Sequence, residues 1–167
     1  MVCCSPSTCQ LQRTRTGMIP LHDACRAGDT ERVRRLLDEG APVDEKDKWG
    51  NTALMEASRH GHTKVLQLLL SKGALVDEKD KDGSTALMEA SMNGRTEVVK
   101  LLLDAVVKLR LERGASLHDR DARGMTLLMH ASRHGHTEVV QLLLNKGAAI
   151  DERTVMYDST ALLVQLA

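Results

Sequence analysis

Every glycine in the chain falls into one of three regular series. Gly17, Gly50, Gly83 and Gly124 open similar segments, and Gly28, Gly61, Gly94 and Gly135 follow eleven residues after them. Gly40, Gly73, Gly114 and Gly147 each precede an alanine, which accounts for all twelve glycines of the 167 residues. Spacing within each series is 33 residues except for one interval of 41, so an eight-residue insertion lies between Gly94 and Gly114. A fixed period near 33 is the signature of a repeat architecture. Each copy is one supersecondary unit that cannot bury its apolar face alone, so neighbouring copies must stack.

The chemistry of a unit is legible in "GNTALMEASRHGHTKVLQLLLSKGA". Thr52 is placed to N-cap a helix carrying Ala53, Leu54 and Ala57, and Gly61 suits the left-handed conformation that ends it. A second helix is predicted from about Thr63 to Lys72. Its apolar residues Val65, Leu66, Leu68, Leu69 and Leu70 cover most of its circumference, as expected where neighbours pack on both sides. Gly73 ends that helix, and Ala74 to Gly83 read as an extended turn into the next unit. The absence of Phe and the presence of one Trp and one Tyr fit thin layers filled by Leu, Val, Ala and Met. Each unit is therefore expected to be a helix-turn-helix with a projecting hairpin.

These units resemble the ankyrin repeats. In the first, Pro20, Leu21 and His22 match three residues of the family's Thr-Pro-Leu-His tetrapeptide, with Ile19 in the Thr position. Later units keep Thr52, Thr85 and Thr126 but carry Ala53, Ala86 and Leu127 for Pro, and Met55, Met88 and Met129 for His. The resemblance spans about Gly17 to Asp151 and implies an all-α solenoid of stacked helix-turn-helix units with projecting β-hairpin loops. In the family the His ties neighbouring helices together, and a thioether cannot donate a hydrogen bond, so looser units held by packing are expected here.

The expected organisation is a disordered leader over 1–15 followed by a repeat domain over 16–167. Its units run about 16–46, 47–79, 80–120 with the insertion near 105–112, 121–153, and a partial fifth at 154–167. The insertion repeats Val98-Val99-Lys100 as Val106-Val107-Lys108 and contains no helix breaker. Continuing the second helix through it adds ~12 Å and rotates its end by about 80°, which throws the next hairpin out of register unless the chain folds back. A looped bulge is the rival, and a local duplication or misjoined gene model without function stands beside both. The closing "STALLVQLA" leaves apolar residues without a following helix in this sequence, so two expectations stand: the sequence is a fragment of a longer array, or self-association occurs through this end, alongside a monomer.

Composition excludes several functions. Equal counts of 23 basic and 23 acidic residues argue against a nucleic-acid coat or a polybasic membrane anchor, and no apolar run of ~18 residues is present. A cytoplasmic protein, nuclear as well, is expected, without cofactor. Cys3, Cys4, Cys9 and Cys25 are not spaced as a disulfide framework and read as reduced thiols. The His60-Gly-His62 and His134-Gly-His136 pairs lack further ligands at fixed spacing, so they are read as structural and surface histidines rather than zinc sites. Carboxylates in the hairpins alternate with Lys and read as solvated turns. No nucleophile elbow, phosphate loop or Cys-His arrangement supports catalysis, and Ser58, Ser91 and Ser132 read as small packing residues.

A binding role remains. The resemblance implies contacts through the hairpin tips and the exposed side of the first helices, which line a concave surface. The corresponding positions are Lys48, Trp49, Asn51, Arg59 and His60 in the second unit, and Lys81, Asp82, Ser84, Met92 and Asn93 in the third. In the fourth they are Ala122, Arg123, Met125, Arg133 and His134, and the first unit adds Arg15, Thr16, Met18, Arg26 and Ala27. Basic residues outnumber acidic ones among them. This predicts an acidic or phosphorylated protein segment held by Trp49 and Met92 as apolar anchors and by Arg59, Arg123 and Arg133 as charge partners. An adaptor or scaffold is the leading expectation, and an inhibitor masking a partner's active or DNA-binding surface is the alternative.

Overall fold

A computed structural model describes residues 19–113 and 119–148, and their side chains apart from those of 106–113. Among the described residues eight helices follow in order: α1 Pro20–Ala27, α2 Thr30–Asp38, α3 Ala53–His60, α4 Thr63–Ser71, α5 Ala86–Met92, α6 Thr96–Arg113, α7 Leu127–Arg133 and α8 Thr137–Asn145. The expected leader and partial fifth unit lie outside the described residues. Each unit contributes two antiparallel neighbours. The first helices α1, α3, α5 and α7 pack successively on one another, and the second helices α2, α4, α6 and α8 form a parallel row behind them.

Local chemistry fixes the boundaries. Thr52, Thr85 and Thr126 each accept the backbone N–H three residues on, from Met55, Met88 and Met129, at 3.4, 3.3 and 3.4 Å. Ile19 cannot do this, but Pro20 at the first helical position has no N–H to satisfy there. At the other end of α3, Gly61 adopts φ 81° and the His62 N–H returns to the Ala57 carbonyl. The second helices turn Val65, Leu66 and Leu69, then Val98, Val99, Leu102 and Leu103, then Val139, Val140 and Leu143 into the stack. Each fully buried Leu or Val contributes about 1.5–3 kcal/mol, so this apolar column is the main cohesion between units.

The tetrapeptide positions show how the methionine units are joined. His22 bonds through Nε2 to the Asn51 carbonyl at 2.9 Å, linking the first unit to the second. Met55, Met88 and Met129 are fully buried and fill the equivalent space, and the Met55 thioether accepts the Thr52 N–H at 3.4 Å. Ties between units come instead from the residue after each turn glycine. The ring N–H of His62 donates to the Arg26 carbonyl at 3.0 Å, Arg95 Nε to that of Arg59 at 3.1 Å, and His136 to that of Met92 at 3.0 Å. Glycine is required at the turns because of this approach: a Cβ on Gly94 would lie 2.6 Å from His136 Nδ1.

Of the two routes for the insertion, the structure takes the extended helix. α6 has 18 residues against nine in α4 and α8, about 27 Å against ~14 Å at 1.5 Å per residue. The stack nonetheless recovers its register after residue 118. α6 packs between α4 and α8, and the Ala122 N–H donates to the Asp82 carbonyl at 2.7 Å just as Lys81 N–H donates to Trp49 at 3.1 Å. The loops themselves are hydrogen-bonded turns rather than ladders, with no strand among the described residues. The reason is that only one backbone bond of this kind joins each successive pair of tips.

Candidate functional site

Three aspartates build the tips. Asp47 Oδ1 accepts the N–H groups of Trp49 and Asn51 at 2.9 and 2.8 Å. Asp80 does the same for Asp82 and Ser84, and Asp121 for Arg123 and Met125. Burial alone would raise the Asp47 pKa, but the hydrogen bonds from Asn51 and Trp49 outweigh it and hold the carboxyl below its ordinary range. These aspartates are therefore structural clasps and not the solvated charges expected of them. The signal was present in the sequence as an Asp three residues before Gly50, Gly83 and Gly124.

Behind the tips runs a ladder of opposite charges along the first helices. Arg26 lies 3.5 Å from Asp23 and 3.1 Å from Glu56, and Arg59 lies 3.3 Å from Glu56 and 2.8 Å from Glu89. Both carboxylates are buried, Glu56 at 1% and Glu89 at 6% exposure. The Arg26 guanidinium is held charged by its hydrogen bond to Glu56, and that of Arg59 by its bond to Glu89. In the fourth unit the carboxylate position is occupied by His130, which pairs with Asp121 at 3.1 Å. Burial lowers the His130 pKa, and Asp121 offsets this only in part.

Tips and ladder together enclose an open groove of about 610 Å³, lined by residues of four successive units from Arg26 to Arg123. Trp49 stands at its rim with 56% of its surface exposed and Lys48 Nζ 4.0 Å from its ring centroid. Arg59, His60, Asp82, Met92, Asn93 and Arg123 reach the same groove. Lys81 is exposed on a tip, and Arg133 and His134 are exposed at the end of α7 outside it.

Four expected contacts differ in kind. Asn51, Ser84 and Met125 are buried at 5–6% exposure, because the turn bond from the preceding Asp draws the strand-like residue after the glycine into the stack. Asn51 and Ser84 nonetheless contribute to the groove lining. Arg59 faces the groove but is already committed to two internal carboxylates. Within the groove itself the charges nearly balance: three guanidiniums line it against the carboxylates of Glu56, Asp80, Asp82 and Glu89, while Lys48, Lys81 and Arg133 are exposed outside that lining. Glu56 and Glu89 were missed because they sit on helix positions that a single unit presents as exposed.

The paired histidines separate by role. His62 and His136 are used between units, whereas His60 and His134 are exposed and stack on them at 6.1 Å between ring centroids. Burial lowers the pKa of His60, and burial with the nearby His136 lowers that of His134. Cys25, packed inside α1, has its thiol pushed up to about 12 by burial and by Glu56, which leaves it unreactive.

A search of curated proteins gives no match. The family model described as ankyrin repeats (3 copies) matches residues 3–80, 21–112 and 73–154. Together with the paired helices, turn glycines and stacked tips, this shows that the chain belongs to the ankyrin-repeat family.

Proposed function

We propose that this protein is a non-catalytic interaction module that binds a partner protein in the groove between its hairpin tips and first helices, acting as an adaptor or scaffold. Ankyrin repeats are generally protein–protein interaction modules. The observation that carries the reading for this chain is Trp49, a large aromatic 56% exposed at the rim of an open groove. Tryptophan concentrates binding energy at interfaces because it buries a large, rigid surface at little entropic loss. No helix among the described residues is long and apolar enough to cross a membrane. A reducing compartment, cytoplasm or nucleus, suits the free Cys25 thiol.

Affinity capture with the full chain and with a Trp49→Ala plus Arg123→Glu variant tests the groove. Arg59 is left in place because its loss would disturb Glu56 and Glu89. Proteins captured by the parent and lost from the variant are the expected result, and retention of every partner removes the groove as the binding surface. Adding the purified protein to an activity assay of the captured partner then separates adaptor from inhibitor.

A further inference from the structure

The charge ladder is incomplete at one place, and that place opens into the groove. Glu56 receives two guanidiniums: Arg59 from its own helix three residues on, and Arg26 from the preceding unit. Among the described residues Glu89 pairs only with the preceding unit's Arg59, at 2.8 Å, because the position three residues on is Met92. Asn93 does not compensate, since its amide donates to the Glu89 carbonyl and not to the carboxylate. The ladder does not resume beyond, for the fourth unit has neutral-leaning His130 where a carboxylate would stand. Glu89 is thus a buried carboxylate on the groove wall with half the charge pairing of its counterpart.

The surroundings extend the same chemistry. Asp82 projects from the adjacent tip into this groove, and among the described residues no cation pairs with its carboxylate within 4 Å. Met92 supplies a half-buried apolar floor beside Glu89, and Trp49 an exposed aromatic rim. A planar guanidinium on an aliphatic stem matches this set: its fork suits carboxylates, and its stem suits Met92.

Resting on the groove reading above, we propose that the partner segment carries an arginine flanked by an apolar residue. The arginine occupies the position over Met92, pairing with Glu89 and Asp82, while the apolar neighbour packs on Trp49. Arg59 and Arg123 line the same groove. This reverses the charge expected of the partner from the sequence.

Synthetic peptide libraries fixed at a central Arg, Glu or phosphoserine, with varied neighbours, test this against the full chain. The expected result is preference for the Arg library. Met92→Arg, which supplies the missing guanidinium from within, should weaken that binding about tenfold or more, the loss of one charge-assisted hydrogen bond. Met92→Leu should retain it. Because the Met92→Arg variant fills an internal gap, unchanged or raised melting temperature is expected and shows that the fold is intact. Preference for Glu or phosphoserine, binding indifferent to Met92→Arg, or no binding to any library each overturns the proposal. Loss of whichever library binds on Trp49→Ala would still uphold the groove, whereas insensitivity to both Trp49→Ala and Met92→Arg would remove the groove reading as well.

Discussion

Replacing Glu56 by Gln keeps the shape of a side chain that is 1% exposed but removes the charge at the centre of the ladder. Two guanidinium bonds end on it, from Arg26 at 3.1 Å and Arg59 at 3.3 Å. Breaking a fully buried pair typically costs about 3–5 kcal/mol. Here the arginine side chains are 39% and 34% exposed, and each keeps a second carboxylate, Asp23 or Glu89, so water and those partners recover part of the loss. Gln also retains one carbonyl acceptor. The expected cost is about 1.5–2.5 kcal/mol, read by urea denaturation at 25 °C followed by helical circular dichroism. Glu31→Gln is the control, because the Glu31–Arg34 pair at 3.8 Å is 84% and 56% exposed and its loss stays within about 0.5 kcal/mol. A double cycle with Arg59→Met should return a coupling of about 1 kcal/mol or more. If Glu56→Gln costs no more than Glu31→Gln, the ladder does not hold the units together, and its arginines are free for a partner after all.

Gly94→Ala should destabilise more than Gly73→Ala by about 1 kcal/mol or more, because both force a left-handed φ, 63° and 87°, but only Gly94 would displace the His136 ring and its bond to Met92. Equal losses in thermal unfolding would refute the proposed tie. Burial holds the folded pKa of His130, His60 and His134 below the ordinary value, so on acidification the unfolded chain takes up protons first. Their contribution is intact above ~6.5 and is lost as pH falls below it. The melting temperature should therefore drop from pH 7.5 to 5.5, and His130→Asn should flatten that drop; an unchanged slope would refute it. In a variant with Cys3, Cys4 and Cys9 replaced by Ser, Cys25 should react with an alkylating reagent only at the rate of unfolding, given a thiol pKa of about 12. Fast labelling of the native protein would contradict its burial.

Much of the fold was readable because its determinants are local. The N-cap threonines act over three residues, the left-handed glycines over five, and the apolar column of the second helices repeats within each unit. Even the extended α6 followed from the lack of any breaker between Ala105 and Glu112. What sequence reading misjudged were residues whose roles arise between units. Arg59 looks like an exposed variable residue until the next unit brings Glu89 to 2.8 Å across thirty positions. Asn51, Ser84 and Met125 look like tip residues until the Asp clasp turns them inward.

The sequence by itself determined the period, the helix boundaries and the side of each unit that must be buried, since these depend on neighbours within a few bonds. Only the tertiary structure decided which charges remain available to a partner. A charge is spent or free according to what the adjacent unit places within about 4 Å of it, and stacking, not chain proximity, sets that distance.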